Sequence, residues 1–179
     1  GSEGKLNYTI FTQPGMRYAI AKALVYSLLQ DNYFCSVSER NKGYIISKIL
    51  EDVKGRMLED IVMLETHKSV SRCQDVFQYK FDNGGEYDMV IYDRSRHTCR
   101  IYEIKHSTEV AERQLRYLKD DGMCSLIESR YGTIEGRYVL YRGEDRTIGD
   151  IQYLNVEKYL CNIHAIINLA SSNEHYNEA

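Results

Sequence analysis

GGEYDMVIYDRSRHTCRIYEIK, residues 84–105, reads as two strands joined by a tight turn. EYDMVIYD and CRIYEIK are rich in β-branched and aromatic residues, and RSRHT between them has the composition of a turn. In an extended chain alternate side chains share a face. Glu86 and Asp88 therefore stand together on the first strand. Glu103 and Lys105 stand together with Ile101 on the second, and Tyr102 and Ile104 take the other side. A carboxylate and an ammonium two residues apart on a buried strand are aimed at one spot.

Working outward, DVFQYKF (75–81) precedes this pair across a DNGG turn and completes an expected β-meander. Upstream, PGMRYAIAKALVYSLLQD places Pro14 where a first helical turn tolerates it and predicts a helix of about four turns ending at Leu29. Residues 44–70 repeat Ile46, Ile49, Leu50, Val53, Met57, Ile61 and Leu64 at helical spacing, the long helix of the chain. Gly55, Glu59, Val62 and Thr66 form a second stripe on it, where Gly55 would admit a close neighbour. Glu65, inside the apolar arc, is expected to be a buried structural acid. Downstream, the pattern predicts a helix from Thr108 to about Lys119, a short helix near 122–130, strands at 137–143 and 151–155, and a terminal helix from Val156 to Leu169.

The size fits one domain. Residues 1–7 read as a tag or linker remnant, 8–170 as a single domain and 171–179 as a mobile tail. No apolar run approaches a membrane span, and five scattered cysteines without metal-ligand spacing suit a reducing, cytoplasmic setting. The net charge of −3 gives no global pull toward nucleic acid, so any DNA binding is expected to be weak and to fall with salt.

If the faces of the two strands coincide and Glu59 comes over them, three or four acids and one lysine gather at a point. Like charges so close raise one another's pKa or demand a cation, and removing one of them would relieve repulsion. Mg²⁺ is the natural candidate, because it binds one or two carboxylates and leaves its other positions to water and phosphate oxygens. Lys105 beside it could orient a water or offset charge developing on a phosphate. The Asp88 and Glu103 carboxylates should then lie about 4–6 Å apart. Arg94, Arg96 and Arg100 around the turn make a local positive field suited to phosphate contacts.

The ordered set GRMLE (55–59), GGEYD (84–88) and YEIK (102–105) resembles the PD-(D/E)XK nuclease superfamily, archaeal Holliday-junction resolvases included. The resemblance implies an α/β restriction-endonuclease-like fold, a mixed central sheet flanked by helices. It also implies metal binding by Glu59, Asp88 and Glu103, with Mg²⁺ or Mn²⁺ as the ion and Lys105 at the reacting phosphate. FTQPGMRYAIAKAL, GRMLEDIVMLE, GGEYDMVIYD, IYEIKHS and YVLYRG together look like the nuclease-like domain of unknown function at the C-terminus of prokaryotic AAA+ ATPases. That likeness implies an ATPase domain ahead of these residues, which themselves carry no G-x-x-x-x-G-K-[ST]. Two departures stand out: no Pro-Asp pair leads into Asp88, and Gln114 and Tyr117 are three apart where RecB-type nucleases have a Gln and a Tyr four apart. Two functions are left open. One is Mg²⁺-dependent phosphodiester hydrolysis on DNA; the other is a non-catalytic module that binds DNA, a protein partner or another copy of itself.

Overall fold

The computed structural model describes residues 14–30, 34–82, 84–163 and 165–167. The expected tag or linker remnant at 1–7, the tail from 171 and the last residues of the terminal helix lie outside them. The chain divides into two compact units, Gly1–Leu64 and Glu65–Ala179.

The first unit holds α1 (Pro14–Leu29) and most of α2 (Glu39–Ser69). The α2 helix starts before the apolar repeat does, with the Ser38 hydroxyl accepting the Asn41 N–H at its entrance. An ion pair of 2.8 Å between Arg17 and Asp60 ties α1 to α2. Val62 on the second stripe of α2 is buried, but a Cβ at Gly55 would meet nothing within 4 Å, so that glycine serves no close approach among the described residues.

The second unit begins with the last turn of α2 and is built on one mixed sheet. Its elements are β1 (Gln74–Lys80), β2 (Glu86–Asp93), β3 (Thr98–Ile104), a 3₁₀ turn (Glu112–Leu115), α3 (Asp121–Tyr131), β4 (Thr133–Tyr141), β5 (Arg146–Ile148), β6 (Ile151–Asn155) and α4 (Val156–Cys161). Strand order is β1-β2-β3-β4-β6-β5. The expected meander β1–β2–β3 is antiparallel, β3–β4 and β4–β6 are parallel, and β5 returns antiparallel on β6. This is an α/β architecture, as the alternation of strands and helices predicts.

Alternation sorts the side chains into two layers. Cys99, Ile101, Val139, Tyr141, Ile151 and Tyr153 pack with Met123, Cys124 and Ile127 of α3 and with Leu115 and Leu118. On the opposite layer Tyr102 stacks on Tyr138 at 4.8 Å and meets Tyr159 of α4 at 6.4 Å, and the Tyr159 hydroxyl bonds Thr66 at 2.9 Å.

Two sequence expectations change, and the structure adds a strand that none of them included. The stretch 108–119 forms only a 3₁₀ turn, whose two fully buried anchors, Leu115 and Leu118, stand three residues apart, the spacing of one 3₁₀ turn. The short strand β5 is exposed throughout and has no apolar period to read. Glu65 is no buried acid: its side chain is 44% exposed and paired with Lys68 at 2.7 Å.

Candidate functional site

The β2–β3 ladder runs in register as far as Met89 opposite Tyr102. One step further, Asp88 comes alongside Glu103. There the pairing changes character: the Ile104 N–H, which points toward β2, donates to Asp88 Oδ2 at 2.7 Å. The next N–H, from Lys105, points the other way and donates to Leu140 O of β4 at 2.8 Å. A side chain thus takes the place of a main-chain acceptor, and this fixes the Asp88 carboxylate at the end of the sheet.

Lys105 closes the cluster. Its Nζ lies 3.0 Å from Asp88 Oδ2 and 2.6 Å from Glu103 Oε2, which caps the separation of those two oxygens at about 5.6 Å. The two acids therefore share a face and a single counterion. Asp88 is 5% and Glu103 3% exposed, so water screens little of their repulsion. With both acids ionised and Lys105 charged, the cluster carries one net negative charge in a poorly solvated place. Burial, followed by the neighbouring Asp88 charge, lifts the Glu103 carboxyl to about 8, against the opposing pull of Lys105. For Lys105 burial works against the ammonium, but the Asp88 and Glu103 charges outweigh it and hold the proton on more tightly than in water. Glu103 Oε1 is buried and receives no hydrogen bond.

These three residues form the floor of a cleft of about 410 Å³, lined also by Glu86, Arg113, Gln114, Arg116 and Tyr117. Glu86 sits at the strand's start, bonded by Gln78 at 3.2 Å and 3.6 Å from Lys80. Gln114 and Tyr117, singled out by their spacing, do reach the cleft. Glu59 belongs to the first unit, where it pairs with Arg56 at 3.0 Å. The turn arginines are placed elsewhere: Arg94 Nη1 donates to both carboxylate oxygens of Asp75 at 2.7 and 2.8 Å, Arg96 pairs with Glu135 at 2.5 Å, and Arg100 is buried on the tyrosine layer of the sheet. The arginines on the cleft are Arg113 and Arg116, which sequence reasoning passed over. The available signal was their spacing of three in ERQLRY, just after the E-x-K strand.

Among the described residues no three His, Cys, Asp or Glu side chains gather as a ready metal cage. No helix is long and apolar enough to cross a membrane. No protein-family model matches the chain, and no curated protein matches it.

Proposed function

We propose that this cleft hydrolyses phosphodiester bonds of nucleic acid with a divalent cation, Mg²⁺ or Mn²⁺, in a domain of PD-(D/E)XK type. One observation carries the reading. Two nearly buried carboxylates, Asp88 and Glu103, converge on one lysine at the floor of an open cleft, and Glu103 Oε1 is a buried acceptor with no donor. An orphaned carboxylate oxygen in a cluster that holds a second carboxylate fits a hard cation. Two protein carboxylates suit Mg²⁺, which keeps water and phosphate oxygens in its remaining positions. When bound, the cation would polarise the phosphate and lower the pKa of a coordinated water. Asp88 and Glu103 would hold it, and the Ile104 N–H keeps Asp88 in place for that task. Lys105 would orient the attacking water and offset charge growing on the phosphate oxygens. The water oxygen joins phosphorus, one P–O ester bond opens, and a proton from the water ends on the departing hydroxyl.

The N-terminal partner implied by the sequence likeness is an AAA+ ATPase domain, which would deliver the substrate. A second reading has one observation in its favour. Lys105 already compensates both acids, as it would in a purely structural cluster of a non-catalytic binding or oligomerisation module. The deciding experiment incubates the protein, alone and joined to an ATPase domain, with single-stranded, duplex and branched DNA in Mg²⁺ or Mn²⁺. Cleavage lost in Glu103→Gln, and slowed about 10²–10³-fold in Lys105→Ala, supports hydrolysis. No cleavage with any substrate, or cleavage that survives Glu103→Gln, selects the non-catalytic module.

A further inference from the structure

The arginines on the cleft are set up differently from most of the other described lysines and arginines. Arg17, Lys42, Lys54, Arg56, Lys68, Lys80, Arg94, Arg96, Lys105, Lys119, Arg137 and Lys158 each pair with a carboxylate. Arg113 and Arg116 pair with none among the described residues. The acid in their own turn, Glu112, is already taken by Lys119 at 2.9 Å. Two exposed guanidinium groups thus face a cleft whose floor is acidic, with their charge unspent.

The backbone explains why both face the same way. The Gln114 N–H donates to Ala111 O at 2.9 Å, Lys119 to Arg116 O at 3.3 Å and Asp120 to Tyr117 O at 3.4 Å, a run of three-residue turns. With three residues per turn, side chains at i and i+3 eclipse. Leu115 and Leu118 fall on one stripe and are buried, Arg113 and Arg116 on a second, Gln114 and Tyr117 on a third. The buried leucines therefore fix where the arginines point. Two further contacts stiffen the arrangement. Gln114 Oε1 accepts the Ala111 N–H at 2.8 Å, and the Arg116 guanidinium lies 4.4 Å from the Tyr117 ring centre and donates to its hydroxyl. A stacked, pre-ordered guanidinium loses less freedom when it grips an oxyanion.

We propose that Arg113 and Arg116 are the phosphate-holding pair of the cleft, seating a nucleic-acid strand by phosphates next to the one that meets Asp88, Glu103 and Lys105. The proposal rests on the nucleic-acid reading above. It assigns the positioning role to this turn rather than to Arg94, Arg96 and Arg100, whose charges are compensated or buried.

The test measures binding of a fluorescein-labelled single-stranded DNA oligonucleotide to the full chain, by anisotropy, in Ca²⁺ across a series of KCl concentrations. R113Q/R116Q is compared with the wild type and with R94Q, and circular dichroism checks that each is folded. Loss of two phosphate contacts should flatten the slope of log Kd against log salt by about 1.4 and weaken binding about tenfold or more at the lowest salt, with R94Q unchanged. A purely structural role for the turn would not move the salt slope. An unchanged slope in R113Q/R116Q, a change equal to that in R94Q, or no salt-dependent binding by the wild type overturns the proposal. The two readings fail separately. A wild type that cleaves while R113Q/R116Q keeps slope and KM removes only the arginine pair; a protein that binds through the pair but neither holds Mg²⁺ nor cleaves removes only the hydrolysis.

Discussion

Asp88 Oδ2 accepts both the Ile104 N–H and the Lys105 ammonium, so deleting the side chain and neutralising it are different experiments. Relief of repulsion alone would let either acid be removed without cost. The two hydrogen bonds say otherwise for Asp88, since Asp88→Ala leaves a buried N–H without an acceptor, at a cost of about 1–3 kcal/mol. Asp88→Asn keeps a carbonyl for that N–H and is expected to cost less than about 1 kcal/mol, while on the proposed reading it would still abolish cation binding; urea unfolding of both variants separates the two effects. Glu103 yields a pH prediction. Its carboxyl is raised, first by burial and then by Asp88, from an ordinary 4.5 to about 8, so over that interval the native state holds a proton that the unfolded chain has released. Stability then falls as pH climbs from about 4.5 to about 8 and levels off above, by an amount on the order of a few kcal/mol. In Glu103→Gln this component is gone, and the difference between variant and wild type in urea should grow from pH 5 to pH 8. A constant difference would mean that the carboxyl is ionised throughout.

At the scale of elements, the junction between α3 and β4 turns on Gly132. Its φ of +74° is one that side-chain-bearing residues rarely adopt, and a Cβ there would lie 1.6 Å from His97 O. Gly132→Ala is therefore expected to cost at least about 2 kcal/mol, lowering Tm by about 4–8 °C in a chain of this size. Gly55→Ala is the opposite case. In mid-helix with open space around it, it should gain up to about 1 kcal/mol. Scanning calorimetry of the two variants reads both signs, and a neutral Gly132→Ala would mean that the turn relaxes freely. What could be read from sequence follows the same logic. The strands β1, β2 and β3, helix α3 and the meeting of Asp88 with Glu103 were legible because each rests on a period, of two or of 3.6, that burial enforces; α1 was legible from Pro14 and its apolar run alone, since of its described side chains only Val25 is buried. The strand β5 has no buried residue and so no period, and two leucines three apart suit a 3₁₀ turn as well as an α-helix. Arg113 and Arg116 look like any solvated arginines until the sheet end and Leu115 fix what they face.

At the scale of the whole molecule, the division into two units had no sequence signal, because it falls between Leu64 and Glu65 inside an unbroken helix with no glycine- or proline-rich linker. The cleft, by contrast, is made entirely by the second unit, so anything it binds should report on that unit's unfolding. A cation that binds only the folded state stabilises it by about 2.7 kcal/mol at a hundred times its Kd, which corresponds to a Tm rise of about 5–11 °C here. Binding must displace the proton that Glu103 holds below about 8, so affinity should fall about tenfold for each pH unit below that value. The same Mg²⁺ concentration that gives about 2.7 kcal/mol at pH 8 would then give only about 0.6 kcal/mol at pH 6, because a roughly fiftyfold loss from the half-protonated state at pH 8 leaves it at about twice the Kd. Thermal unfolding with and without Mg²⁺ at the two pH values measures this directly, with Asp88→Asn as the variant that should show no rise at either. Equal shifts at pH 6 and pH 8, or a shift that persists in Asp88→Asn, would place the cation on some other carboxylates of this net-negative chain and leave Lys105 as the permanent partner of both acids.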